Sequence, residues 1–134
     1  MYKKTIKFTD YNGAEREEDF YFNLSKAELM ELELSVNGGL TEMVHKIVKA
    51  QDSASIVKVF KELILKSYGE KSLDGRRFVK SQEISDSFEQ TEAYSMLFME
   101  LSTDEKAVLE FINGIVPSDL SEEMNNRQTI APKN

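Results

Sequence analysis

The chain has 134 residues, with 24 acidic and 17 basic side chains, a net charge of −7 and no cysteine. This length predicts one domain, and the lack of cysteine excludes disulfides and thiolate metal sites. No run approaches the ~18 apolar residues that a membrane span needs. The sequence therefore predicts a globular protein, suited to a reducing cytoplasm, with no membrane segment.

Charge is spread unevenly along the chain. Residues 40–78 carry 8 basic and 5 acidic side chains, whereas residues 79–124 carry 2 and 11. An acidic second half disfavours nucleic-acid binding there. The asymmetry would let copies of the molecule dock head to tail, basic face on acidic face. An ordinary solvated surface explains the same pattern, and both interpretations stay open.

Residues 1–24 predict a β-hairpin, because apolar and polar side chains alternate along 2–9 and Asn12-Gly13 marks a turn. A two-residue loop would split the large apolar side chains between the two faces. A three-residue loop with left-handed Gly13 gathers them on one face, and we favour it. These side chains are Ile6, Phe8, Phe20 and Phe22.

The rest of the chain reads as helices. A capping box, Ser25 with Glu28, predicts a helix to about residue 34, and a second helix is expected over 41–50. A third helix, from about 53 to Tyr68-Gly69, leads into a polar connection over 70–80.

Further helices are expected after residue 80. Ser81 opens a helical stretch that breaks near Gln90, and residues 102–105 read as a second capping box. The helix that follows closes at Asn113-Gly114. The sequence thus predicts a mainly α protein of the α+β class. Its N-terminal hairpin (1–24) and a bundle of five or six helices (25–114) form one domain, followed by a polar, flexible tail (115–134).

The segment over 90–101 is rich in large apolar side chains and poor in side chains that could take part in catalysis. As a helix it is apolar over far more than the roughly 100° stripe that a surface helix buries. Its apolar residues are Tyr94, Met96, Leu97, Phe98, Met99 and Leu101. They are either core or a surface kept for another protein, and methionine packs adaptably against either.

Groups that carry chemistry are sparse. His45, the only histidine, shares a helix face with Glu42, which is too few ligands for a metal site. Arg76-Arg77 is either a solvated pair or a contact with a protein partner. The sequence predicts no catalytic residue, no metal site and no cofactor.

The chain resembles the small tail assembly chaperones of Gram-positive phages and prophages. The resemblance rests on residues 6–13, 19–29, 65–72, 74–78, 88–101 and 111–114, with Pro117. It implies a non-enzymatic chaperone of the host bacterial cytoplasm that binds the tape measure protein, helps recruit tail tube subunits and is absent from the mature virion. It also implies a tape measure gene just downstream, and a longer frameshifted form that would diverge after Pro117.

On this basis we expect a client surface over Tyr94, Leu97, Phe98 and Leu101, with Met96 and Met99 supplying adaptability. Arg76 and Arg77 are a second expected partner contact. Weak, salt-sensitive self-association is expected to form rings or open helical arrays. The alternative is a small phage-encoded regulatory or adaptor protein that acts by protein–protein binding.

Overall fold

The computed structural model describes the backbone of residues 1–35 and 53–117, and their side chains except those of 32–35 and 53–56. The strands are β1 (Tyr2–Thr9), β2 (Glu15–Phe22), β3 (Tyr68–Lys71) and β4 (Phe78–Val79). The helices are α1 (Lys26–Ser35), α2 (Ser53–Ser67), α3 (Gln82–Glu89), α4 (Glu92–Thr103) and α5 (Glu105–Ile115). The expected helix over 41–50, His45 with Glu42, and residues 118–134 of the expected tail lie outside the described residues.

The β1–β2 hairpin has the predicted register. Lys4 pairs with Phe20, and Ile6 pairs with Glu18, so even positions face even positions. Gly13 has a φ of 82°, a conformation that side-chain-bearing residues seldom adopt. The amide of Gly13 donates to the carbonyl of Asp10 at 2.9 Å, which closes the three-residue loop. The preference for this loop is therefore confirmed.

In the part of the chain that the structure describes, the sheet has four strands rather than the predicted two, in the antiparallel order β1-β2-β3-β4. The segment over 68–80, expected as a helix end and a polar connection, forms a second hairpin. Phe22 pairs with both Tyr2 and Tyr68, so β3 runs back towards the end of the sheet that carries the β1–β2 turn. The β1–β2 turn and the β3–β4 turn therefore lie at the same end.

The core lies between the even face of the sheet and the helices. We call its ring-bearing part the aromatic layer: Tyr2, Phe8, Phe20, Phe22, Tyr68, Phe88 and Phe111. Tyr68 stacks on Phe88 with ring centroids 4.1 Å apart, and Phe111 meets Phe22 edge-on at 5.3 Å. Among the described residues, the odd-numbered face of β1 and β2 is exposed apart from the half-buried Tyr21. The helices therefore pack with the sheet rather than as a separate bundle.

Helix α1 starts at the predicted capping box. The Glu28 carboxylate accepts from the amide of Ser25 at 2.8 Å, and the Ser25 hydroxyl accepts from the amide of Glu28 at 3.2 Å. The Lys80 ammonium donates to Glu28 at 2.7 Å and to the Asn23 carbonyl at 2.6 Å. Burial opposes ionisation of Glu28, but these hydrogen bonds outweigh it and lower the pKa of its carboxyl.

The start and end of α5 differ from the prediction. Asp104, rather than Ser102, caps the helix, because its carboxylate accepts from the amides of Lys106 at 3.0 Å and Ala107 at 3.3 Å. Gly114 does not end the helix, which runs on to Ile115. A Cβ on Gly114 would lie 2.5 Å from the Tyr2 ring, so glycine is needed there for close packing. Val116 is also buried, which extends the core beyond residue 114.

Candidate partner-binding surface

Helix α4 carries most of the residues that the sequence singled out. The Thr91 hydroxyl accepts from the amide of Tyr94 at 3.2 Å and so caps its first turn. Ala93, Leu97 and Leu101 are spaced four residues apart, and all three are buried against the rest of the core. This inner stripe orients the helix, and it leaves the opposite side facing outward.

The outward side of α4 forms an uncharged surface that we call the outer strip. It consists of the exposed residues Ser95, Met96, Met99, Ser102 and Thr103. Met96 is 43% exposed and Met99 56%, and they lie three residues apart, so they are neighbours on the helix surface. Exposed apolar side chains that occur together, unlike single scattered ones, mark sites of interaction.

Local hydrogen bonds make the outer strip less polar than its composition suggests. The Ser102 hydroxyl donates to the Phe98 carbonyl at 2.7 Å, and the Thr103 hydroxyl donates to the Met99 carbonyl at 2.8 Å. Both hydroxyls bond one turn back along the helix, which is a common arrangement for these residues. Their hydrogen atoms are therefore used within the helix, which leaves Met96 and Met99 as the large exposed side chains of the strip.

Tyr94 and Phe98 lie half-buried at one border of the outer strip. The ring of Phe98 meets Phe60 of α2 nearly at a right angle, with centroids 6.3 Å apart. The ring of Tyr94 meets Phe88 edge-on at 5.7 Å. Burial raises the pKa of the Tyr94 phenol, with a smaller contribution from Glu89. These two rings thus join the aromatic layer to the surface.

The carboxylates around α4 differ in their partners. Glu100 pairs with Lys4 of β1 at 2.8 Å, and Glu89 pairs with Lys61 of α2 at 2.9 Å. Glu92 has no ion pair among the described residues, and it lies one turn before Met96 on the same side of α4. The apolar strip therefore has one unpaired negative charge at its N-terminal end.

The β3–β4 turn is a second exposed feature, and we call residues 72–77 the turn tip. Leu73 is fully exposed there, and Arg76 and Arg77 also belong to the exposed residues. The tip lies at the far edge of the sheet from β1, the strand against which α4 packs. The expected contacts at Arg76 and Arg77 are therefore not part of the α4 surface.

The expected client residues of α4 occupy three environments. Leu97 and Leu101 are buried, Tyr94 and Phe98 are half-buried, and only Met96 and Met99 are well exposed. Their role in binding stays a prediction. Sequence reasoning did not connect Leu73, Ser95, Ser102 or Thr103 with binding. Leu73 had a visible signal, because it is an apolar residue within an otherwise polar turn segment.

Within residues 1–35 and 53–117, no three histidine, aspartate or glutamate side chains come together as metal ligands would. None of the helices in these ranges is long and apolar enough to cross a membrane. An open depression of about 460 Å³ lies beside the β1–β2 turn, lined by Lys7, Phe8, Thr9, Glu15, Arg16 and Glu17. Its cations lie beside carboxylates: Arg16 pairs with Asp10 at 2.6 Å and Lys7 with Glu17 at 3.4 Å.

A family model described as phage tail assembly chaperone matches the chain over residues 1–134. The chain belongs to this family. The resemblance inferred from the sequence is thereby confirmed, and this tail assembly chaperone has a role in building phage tails. The family suggests tail proteins as its partners and a role other than catalysis. No curated protein and no solved structure matches the chain.

Proposed function

We propose that this chaperone binds the tape measure protein of its phage through the outer strip of α4 and helps to recruit tail tube subunits. The observation that carries the proposal is the pair of exposed methionines, Met96 and Met99, on the outward side of α4 in a family member. A long helical client presents apolar stripes of its own, and two such stripes can pack side by side. Methionine suits this role because its flexible side chain adapts to different partners.

The other expected residues of α4 have supporting roles in this proposal. Tyr94 and Phe98, which are half-buried, contribute the part of their side chains that remains exposed at the border of the strip. Leu97 and Leu101 do not contact the client in this proposal. They are buried, and their burial fixes the orientation of α4 and so the direction in which Met96 points. This division makes Met96 and Met99 the residues to test, since their replacement leaves the core unchanged.

We also propose that the chaperone self-associates weakly through its charge asymmetry. Of the basic residues of the 40–78 segment that are expected to make this contact, five are exposed in the described chain: Lys58, Lys61, Lys66, Arg76 and Arg77. Lys46 and Lys49, which belong to the same segment, lie outside the described residues. The acidic partner surface is supplied by helices α3 to α5 of a second copy. Two different surfaces in contact form a ring or an open helical array rather than a two-fold dimer.

Salt tests the proposed self-association. Exposed charge pairs contribute only about 0–1 kcal/mol each, so the association is expected to be weak. Raising salt from 0.1 M to 1 M shortens the Debye length from about 10 Å to about 3 Å, which should shift assemblies towards monomer. Light scattering across this range measures the change. A monomer at every salt and protein concentration would contradict the proposal.

Co-expression with the tape measure protein tests the client. We expect the wild-type chaperone to keep the tape measure protein in solution and to co-purify with it. Met96→Lys with Met99→Lys should abolish co-purification, because two charges would have to be buried against the client. The control is Met30→Lys, which places one such charge at a methionine that is 68% exposed on α1.

The outcomes separate the two parts of the proposal. If the wild-type protein does not hold the tape measure protein, the choice of client is wrong. If the double variant still holds it, the outer strip is not the contact. Thermal unfolding of each variant shows whether lost binding reflects lost folding.

Gene order and virion composition address the rest of the proposal. A tape measure gene should lie immediately downstream, whereas a gene isolated among early regulatory genes would favour the adaptor alternative. We also propose that the chaperone acts in the host cytoplasm and leaves before the tail is complete. Mass spectrometry of purified virions should then detect no peptide of this chain.

A further inference from the structure

The turn tip is held in one shape by its own polar groups. The amide of Ser72 donates to the carbonyl of Arg77, and the amide of Gly75 donates to the carbonyl of Ser72, both at 2.9 Å. The Asp74 carboxylate accepts from the Ser72 hydroxyl at 2.7 Å and from the amide of Arg76 at 3.0 Å. Gly75 takes the left-handed conformation, with a φ of 74°. A turn fixed in this way loses little conformational entropy when it binds a partner.

The side chains that the turn tip presents have no role in holding it together. Leu73 is fully exposed, and the guanidinium groups of Arg76 and Arg77 have no ion pair among the described residues. Arginine is enriched among the residues that dominate binding at protein interfaces, and the exposed leucine beside the two arginines adds apolar surface that a partner would bury. The tip therefore suits a surface that is apolar and also bears a carboxylate.

The outer strip of α4 has both of these properties. Met96 and Met99 supply the apolar surface, and Glu92 supplies a carboxylate without an ion pair among the described residues. In one molecule the tip and the strip are both exposed and belong to opposite edges of the sheet. A contact between them therefore has to join two molecules.

We propose that the turn tip of one chaperone docks on the outer strip of a second copy. Leu73 packs between Met96 and Met99, and an arginine of the tip lies beside Glu92. A pair keeps one free strip on one copy and one free tip on the other, so the contact propagates from copy to copy. The contact is well below the roughly 1,200 Å² of a standard interface, so the association is weak.

This contact specifies the self-association proposed above, and it rests on that proposal. It also has a consequence for the client, because the tape measure protein is proposed to occupy the same strip. A docked tip and a docked client then exclude each other. Assemblies of the chaperone should shorten when the tape measure protein is added.

Two variants, each lacking one of the surfaces, test the contact. The tip variant carries Arg76→Glu and Arg77→Glu, and the strip variant carries Met96→Lys and Met99→Lys. Under conditions in which the wild type associates, each variant alone should sediment as a monomer. An equimolar mixture should form a heterodimer and nothing larger, because only one intact tip and one intact strip can meet. Sedimentation velocity measures both.

The matched control is Lys3→Glu with Lys26→Glu, which makes the same charge change at exposed lysines of β1 and α1, outside the basic segment. We expect this control to associate as the wild type does. A monomeric wild type, a tip variant that still associates, a control that fails to associate or a mixture without heterodimer would each overturn the contact. None of these measurements involves the tape measure protein, so failure of the proposed client is detected separately by co-purification.

Discussion

The aromatic layer and the outer strip of α4 are both built from large apolar side chains, but they differ in how tightly these are held. In the layer, Phe22 has four rings around it, with centroids 5.3 to 6.3 Å away. In the strip, Met96 and Met99 remain about half-exposed on a helix whose other side is buried. Interlocking rings specify a single packing, whereas flexible thioethers accept several. The aromatic layer is therefore suited to stabilising the fold, and the outer strip to binding a partner.

The largest effect on stability should come from creating a cavity in the aromatic layer. Phe22 is completely buried, and Phe22→Ala should lower the free energy of unfolding by about 3–5 kcal/mol, because it leaves a cavity among fixed rings. Urea denaturation at constant m-value measures the change. A loss of under about 1 kcal/mol would mean that the layer repacks, and the contrast with the strip would then be wrong.

Phe98 lies between the two regions and should give an intermediate result. Its ring is half-buried against Phe60, so Phe98→Ala should cost roughly 1–3 kcal/mol, less than a fully buried phenylalanine. The control is Phe98→Leu, which keeps most of the apolar volume and should cost less. If Phe98→Ala costs as much as Phe22→Ala, Phe98 belongs to the core alone.

Alkaline pH perturbs the aromatic layer less than the phenylalanine substitutions do. Burial, followed by Glu70 and Glu18, raises the pKa of Tyr68 to about 12. The unfolded chain loses this phenol proton near pH 10, while the folded chain retains it, so stability falls between about pH 10 and pH 12. Tyr68→Phe should make this fall shallower, as followed by thermal unfolding over that range. An unchanged slope would show that other groups, such as the tyrosines at 2 and 94, cause it.

The first hairpin was predictable because two local signals agreed. Alternation along β1 and the turn at Asn12-Gly13 allowed two registers, and only one of them put Phe8 and Phe20 on the same face. The Ser25 capping box was equally local, since both partners lie within one helical turn. Patterns that are complete within a few residues can be read without knowing the rest of the fold.

The second hairpin was missed because its signal is spread over distant residues. β3 has four residues and follows α2 without a break, and β4 has two. Both are strands because β2 offers a free edge to Tyr68, about 50 residues later in the chain.

The orientation of α4 could not be predicted from local sequence either. Composition showed that this helix is apolar nearly all round, but only its packing against the rest of the fold decides that Leu97 faces inward and Met96 outward.

The smallest effect on stability is expected in the outer strip itself. Met96→Gln with Met99→Gln keeps side-chain length and helix propensity at two half-exposed positions outside the buried core, so the free energy of unfolding should move by less than about 0.5 kcal/mol. The same substitution at Leu97, one residue along, would bury an amide without a partner and should cost several times more. Urea denaturation of the two variants side by side measures this contrast within a single helix. A large loss from the methionine variant would mean that the strip is part of the fold, and the case for it as a partner surface would fail.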